Sequence, residues 1–558
     1  MRARRWLLAL LALLAFSAQA LAAGTVSSAD PRASEAGMAM LRKGGSATDA
    51  ALAMMLALTV VEPQSSGIGG GGFLVHHDGR RNLVSTIDGR ETAPRSASPA
   101  LFLDAEGQPL PFGRAVPGGK SVGVPGNVAL MKKAHRRWGK LPWAELFTPA
   151  IRLARDGFAV SPPLAKALAS AAPLWADFPQ ARAIYWIDGH PAAEGETIRN
   201  PALAAFLETL ARSGPDAFYK GDNAAAISAA VASAPHNPTR LTPADLAAYR
   251  AKDRPAVCGH YRAYKVCGMG PPSSGATTVL QILGMLERFD MKALGANNPE
   301  SWHLIGEAMM LAYADRAAYL GDSDTVHVPV AGLIDPAYLR RRSMGIQPDM
   351  ALGAYEPGVP PGARPRTVVK AAEVPGTSHF IAIDDSGNIA SLTSTVEGPF
   401  GSQLIANGYF LNNELTDFDF APEKNGSPVA NRVEPGKRPR SSMAPTIVYD
   451  AHGKPVFVVG AAGGATIIMQ VAKALIAHLD WGMNARDSIA LGQIFFDRDG
   501  LTLEPGTALE AIRPGLEARG HPIAPLTARL KANAAERLPD GRWQGAADPR
   551  SVGMALTE

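Results

Sequence analysis

Gly376-Thr377-Ser378-His379 is the stretch of this chain whose residue types suit chemistry on the chain itself. Ser378 to Ile383 is apolar and aromatic enough for a strand, Asp384 to Asn388 is a turn cluster, and Ile389 to Thr395 reads as the return strand. A five-residue turn pairs Ile383 with Ile389 and sets Thr395 opposite Thr377, with both side chains on one face. A glycine followed by a threonine, with a second hydroxyl against it, suits a chain that cuts itself there. Cleavage between Gly376 and Thr377 would make Thr377 a new N-terminus, its amine serving as base for its own hydroxyl. A threonine entering a strand is more often only a strand residue, so the rest of the chain has to bear on the reading.

Other groups with chemical capacity follow within 90 residues. Glu414 and Asp417 are spaced to converge on one positive group, and Ser441 and Ser442 offer two hydroxyl donors at a turn. Gly463 and Gly464 offer backbone N–H groups ahead of a helix read from Ile467 to Leu479, which suits a developing oxyanion. Upstream, Arg90 sits at the end of a strand read over 83–87, where its planar fork suits a carboxylate; a structural salt bridge with Glu91 or Asp88 serves equally well. Each feature also has a plain reading as turn or loop. The histidines show no metal-ligand spacing; His303 and Glu307 are four apart on a helix but without companions.

The elements that must position these groups are legible in part. Helical spacing runs over Ser34 to Leu41 and Thr48 to Leu58, then a glycine run, Gly69 to Gly72, enters a strand. No Gly-Lys-Ser/Thr follows and the order is loop to strand, so close backbone packing is preferred to a phosphate loop. Residues 120–320 read as mainly helical, including 142–155 and Pro299 to Tyr319. Gly270-Pro-Pro-Ser-Ser-Gly275 precedes another helix. Residues 353–366, rich in proline and glycine, read as a linker leading to the proposed cut. A two-residue turn at Arg262-Ala263 places Cys258 opposite Cys267, where an oxidising compartment could bridge them.

Composition sets the class. A chain of 558 residues, 46 % hydrophobic and 19 % charged, is globular and too long for one ordinary core. Arg2, Arg4 and Arg5, an apolar run from Trp6 to Phe16 and small residues to Ala22 predict a secretory signal over 1–22 and a periplasmic or secreted protein. Of the formal charge of +4, three charges lie in that segment, leaving +1. The charge therefore gives no reason to expect nucleic acid or an anionic membrane as partner, and no later segment reads as a membrane span.

The order of motifs resembles the gamma-glutamyltranspeptidase family of N-terminal-nucleophile hydrolases, from about Ser28 to Val552. It rests on Glu62 to Gly72, Arg90 to Pro94, Pro271 to Gly275, Ala314-Asp315-Arg316, Thr377 to His379, Leu411 to Glu414, Lys437 to Met443 and Asp548 to Ser551. The resemblance implies an α+β fold, a four-layer αββα sandwich. It implies a precursor cut into a large subunit, 23–376, and a small catalytic subunit, 377–558, that stay together as a heterodimer. Thr377 would attack the gamma-glutamyl amide of a donor such as glutathione, and water, an amino acid or a dipeptide would take the acyl group. Thr395 would hydrogen-bond the nucleophile, Gly463 and Gly464 would form the oxyanion hole, Arg90, Ser441 and Ser442 would hold the donor's α-carboxylate, and Glu414 and Asp417 its α-ammonium. No metal or cofactor is implied.

Two departures qualify this. Glu397 stands where the best-known members have Asn, on the Thr377 face; its carboxylate could help hold the ammonium. The segment from Asp417 to Ser441 is short, has only Phe418 and Phe420 as aromatics and lacks a lid tyrosine, so a more open donor site is expected. Two rival readings stand beside the main one. A glutaryl-type (cephalosporin) acylase of the same fold is opposed by Glu414 and Asp417, because such donors lack an ammonium. A non-catalytic periplasmic binding protein is opposed by Thr377, Thr395 and the glycine pair.

Overall fold

A computed structural model describes residues 24–364, 376–497 and 500–558; the expected signal and the last part of the linker lie outside them. In chain order the strands that matter are β1 (Gly24–Ser28), β2 (Gly71–Asp78), β3 (Leu83–Gly89), β4 (Lys252–Arg254), β5 (Val257–Tyr261) and β6 (Tyr264–Gly268). Then come β7 (Thr377–Asp384), β8 (Ile389–Thr395), β9 (Thr446–Tyr449), β10 (Pro455–Ala462), β11 (Lys531–Arg537), β12 (Trp543–Ala547) and β13 (Met554–Thr557). One sheet has the order β13-β1-β7-β8-β2-β3-β4, the other β12-β11-β10-β9-β6-β5. Helices α1 (Pro31–Arg42), α2 (Ala47–Val61) and α3 (Asn127–Trp138) cover the first sheet. Helices α4 (Gly275–Leu286) and α6 (Ile467–Leu479) cover the second, with α5 (Pro299–Tyr319) packed on α4. Strands β7 and β8 contact β10 face to face, so the layers run helix, sheet, sheet, helix, the expected αββα sandwich.

The period of two along β7 explains its place. Phe380 and Ala382 pack with α2 in one core, while Ile381 and Ile383 pack with Val458 and Val459 of β10 in the other. Each buried isoleucine contributes about 1.5–3 kcal/mol, and a one-residue slip would exchange the two faces. Register is therefore fixed, and with it the face of Thr377, which shares the inter-sheet side with His379 and Ile381. The observed pairing is Ile383 with Ile389 and Thr377 with Thr395, as read from the turn. Cys258 and Cys267 are also register partners and are joined by a disulfide.

Local departures have physical causes. The helix read over 142–155 is broken into a 3₁₀ turn, Trp143–Phe147, and a short α-helix, Thr148–Asp156, where Pro149 has no N–H to continue the ladder. The glycine run is close backbone packing, as expected: a Cβ on Gly70 would lie 1.9 Å from the Thr395 carbonyl oxygen.

The two sheets interleave residues from either side of Gly376. In the first, β1 lies between β13 and β7, and β8 lies beside β2. In the second, β9 pairs with β6. A break at Gly376 would leave both sheets intact.

Gly460 of β10 faces His379, and a Cβ there would lie 2.3 Å from the imidazole. His379 is fully buried and held by Thr393 Oγ1 at 2.9 Å, so it has little room to yield. Gly460→Ala should cost about 1–3 kcal/mol by overpacking. In denaturant melts, the Gly460→Ala/His379→Ala double variant should lose less stability than the two single losses combined.

Candidate active site

Thr377 Oγ1 donates to Thr395 Oγ1 at 3.1 Å, and Thr395 Oγ1 donates to the carbonyl of Gly376 at 2.7 Å. The Glu397 N–H donates to the same Thr395 oxygen at 2.8 Å, presented by a φ of 77° at Glu397. Thr395 thus accepts twice and donates once, which leaves its hydroxyl no freedom to rotate away. It holds the Thr377 hydroxyl next to the carbonyl that precedes it and polarises that carbonyl.

Nine of the eleven predicted site residues, all but Gly376 and Gly463, line one cavity of about 20 Å³, roughly the space of a single water. Thr377 is 6 % exposed. The expectation of an open donor site is therefore not met. The cause is the 3₁₀ turn Glu414–Asp417, drawn down onto Arg90. Phe418 and Phe420 pack away from the cavity, with Phe420 stacked on Phe102 at 4.4 Å.

The charges form one network where the sequence suggested two subsites. Arg90 Nη1 donates to Glu414 and Nη2 to Asp417, so the positive group on which these carboxylates converge is Arg90 itself. The remaining Arg90 bonds go to the carbonyls of Pro439 (3.1 Å) and Arg440 (2.7 Å). Asp88 and Glu91, the partners weighed from sequence, play other parts. Asp88 accepts the Arg90 backbone N–H at 2.8 Å and takes Arg254 and Arg438. Glu91 lies beneath the turn, its carboxyl pushed up to about 7 by burial against the pull of Arg90. Burial likewise raises Glu414, opposed by Arg90. Burial works against the Arg90 charge, but Glu414 and Asp417 more than restore it. Removing one member of such a buried set costs about 3–5 kcal/mol because the others are left unpaired.

The serine turn is held by motifs whose purpose was not legible. Ser441 N–H donates to the Pro272 carbonyl at 3.1 Å, and Ser274 N–H returns a bond to the Ser441 carbonyl at 2.8 Å. Arg316 of α5 donates through Nε to Ser274 Oγ (2.8 Å) and through Nη2 to Ser442 Oγ (2.7 Å). The Pro-Pro-Ser-Ser and Ala-Asp-Arg motifs thus serve as a brace for Ser441 and Ser442. Glu397 lies on the cavity wall, as its face predicted, with Oε2 accepting from Asn413 at 2.6 Å.

Gly463 and Gly464 have φ of 139° and 58°, left-handed values that glycine adopts without strain. They form the bend between β10 and α6. Gly464 lines the small cavity, while Gly463 lines a second cleft of about 510 Å³ that also reaches Gly376 and Thr377. Beyond the strand, Ser378 Oγ donates to Glu62 at 2.7 Å, and Glu62 is paired with Lys531 at 2.9 Å. From sequence Glu62 stands out only as the start of a motif and Lys531 not at all, since 316 and 153 residues separate them from Ser378. Among the histidines, His303 Nδ1 lies 2.6 Å from His521 Nε2, with Glu307 3.7 Å from the latter, a companion that spacing along the chain could not show.

The chain matches the gamma-glutamyltranspeptidase family over residues 33–557. It is 36 % identical over 551 residues to a glutathione hydrolase proenzyme of Bacillus subtilis, covering 96 % of this chain and 91 % of that one. It is likewise 36 % identical over 542 residues to a glutathione hydrolase proenzyme of Escherichia coli, covering 95 % and 90 %. In structure it is similar to a cephalosporin acylase from Bacillus halodurans, with a TM-score of 0.85 and 26 % identity over 96 % of each chain. Motif order, layered fold and these likenesses agree, and the chain belongs to the gamma-glutamyltranspeptidase family.

Proposed function

We propose that this chain is an exported gamma-glutamyl hydrolase and transferase that first cuts itself between Gly376 and Thr377. The observation that carries the reading is the relay Thr377 Oγ1 to Thr395 Oγ1 to the Gly376 carbonyl. Attack of Thr377 Oγ1 on the Gly376 carbonyl carbon forms an ester as the C–N bond breaks, and the hydroxyl proton passes to the departing nitrogen. Water then hydrolyses the ester, leaving a carboxylate on Gly376 and a free amine and hydroxyl on Thr377. Because the sheets interleave residues from both sides of the cut, 23–376 and 377–558 stay together as a heterodimer.

In the cut enzyme the Thr377 amine takes the Oγ1 proton as Oγ1 attacks the gamma-carbonyl of glutathione or a related donor. The Gly463 and Gly464 N–H groups stabilise the oxyanion, each such donor being worth roughly 3–4 kcal/mol. The leaving amine takes the proton and departs through the wider cleft, by which water, an amino acid or a dipeptide then enters to release the acyl group. The donor's α-carboxylate goes to Arg90, Ser441 and Ser442, and its α-ammonium to Glu414 and Asp417 with Glu397 alongside. A zwitterion brings one charge of each sign, so it can insert into the Arg90 network by exchange of partners without leaving a buried charge uncompensated.

A second reading, an acylase for glutaryl-type side chains, is favoured by the structural likeness to the Bacillus halodurans acylase. A glutaryl donor carries the anion alone and would leave Glu414 and Asp417 facing a third carboxylate.

The two are separated by assaying gamma-glutamyl-p-nitroanilide against glutaryl-p-nitroanilide. The gamma-glutamyl compound should have the higher kcat/KM by about 100-fold or more, the value of a lost buried charge pair of about 3 kcal/mol. Equal rates, or preference for glutaryl, would put the acylase first. Thr395→Val should slow self-cleavage by about 100-fold, followed as conversion of the single chain on a denaturing gel, because the Gly376 carbonyl loses its donor. The pH dependence of stability has a stated sign. Glu91 has a folded value near 7, above its ordinary value, so its contribution is present at acid pH and is lost as pH rises through about 7. Glu91→Gln, which cannot ionise, should flatten the decline of the thermal midpoint between about pH 4.5 and pH 7.

A further inference from the structure

A cavity of about 880 Å³ lies away from Thr377, between α3 and the chain around β4. Ala129, Lys132, Lys133, Arg136 and Arg137 line one wall, the i, i+3, i+4, i+7, i+8 spacing of a single helix face. The other wall brings Lys220, Arg250 and Arg254, and the whole lining holds only two carboxylates, Asp216 and Asp253. Arg254 is neutralised by Asp88 and Asp324 at 2.9 and 2.6 Å. The other six cations face two shared carboxylates. Asp216 takes Lys132 (2.7 Å) and Lys220 (3.1 Å), and Asp253 takes Lys133 and Arg137, both at 2.8 Å. Among the described residues, Arg136 and Arg250 have no carboxylate partner, and both are exposed. An excess of about four positive charges thus sits in one concavity of a chain whose whole formal charge is +4.

We infer that this groove binds a soluble oligophosphate, a compact anion of about the charge the lining lacks. Lysine ammoniums and arginine forks together match phosphate oxygens, and the volume is that of a ligand site. The cations face into a concavity, which does not fit the plane of a bilayer. Tyr219 and Tyr249 stack parallel at 5.9 Å in the floor and are buried, so they offer no platform for nucleic-acid bases. The floor also touches the active site from behind. Tyr249 Oη donates to the Arg90 carbonyl at 2.6 Å, and Arg254 binds the same Asp88 that caps the Arg90 N–H.

Calorimetric titration of the purified protein with sodium tripolyphosphate, at about 50 mM salt, tests this. One equivalent should bind, with affinity falling as salt rises. Arg136→Glu/Arg250→Glu should bind at least 10-fold more weakly, and Arg136→Lys/Arg250→Lys should keep most of the affinity. Unchanged turnover of gamma-glutamyl-p-nitroanilide by the charge-reversed variant would show that it is folded; should no variant or wild type turn the donor over, thermal melts serve the same purpose. Absence of binding at about 1 mM, equal affinity in the charge-reversed variant, or binding only to vesicles of anionic phospholipid would overturn the inference.

Discussion

The pairing of Thr377 with Thr395 across one antiparallel hairpin is the constraint on which the site depends. Only this register lets one hydroxyl accept from Thr377 and donate to the Gly376 carbonyl. The register in turn depends on burial on both faces of β7, since Phe380 and Ala382 serve one core while Ile381 and Ile383 serve the other. A strand buried on both sides cannot slide by one residue without exchanging two hydrophobic sets. The sandwich therefore acts as the jig that holds the Thr377 hydroxyl against its own backbone. The close approach of Gly70 to Thr395 and of Gly460 to His379 shows how little slack that jig allows.

Around this rigid centre lies a set of buried charges that satisfy one another. Arg90, Glu414 and Asp417 are nearly free of solvent and form one network, with Glu91 and Asp88 behind them. Such a network contributes less to stability than its short contacts suggest, because desolvation offsets much of the attraction. Under the proposed function its value lies in pre-organisation: a donor bearing both charges would meet groups already oriented and already stripped of water. Opening toward solvent is provided on the other side of Thr377, by the wider cleft at Gly463.

Much of this was legible along the chain, and the reason is locality. The hairpin register, the Cys258–Cys267 pairing, the long helices Pro299–Tyr319 and Ile467–Leu479 and the close packing of the glycine run follow from turn length, period and residue size. What was not legible joins residues hundreds apart. Arg316 braces Ser442 across 126 positions, and Glu62 reaches Ser378 across 316. The misjudged openness of the donor site has the same origin. A short segment without a tyrosine suggested exposure, but the Glu414–Asp417 turn fills the space because Arg90, 324 residues away, attracts it. The helix read over 142–155 is a local exception, because Pro149 separates a 3₁₀ turn from a short α-helix.

The central claim is that the chain exposes Thr377 by cutting itself. Intact-mass measurement of the purified protein beside a Thr377→Ala variant tests it most directly. The account predicts two species from the wild type, the smaller beginning at Thr377, and one uncut chain from the variant. A single uncut chain in both samples would contradict it and return Thr377 to the part of an ordinary strand residue.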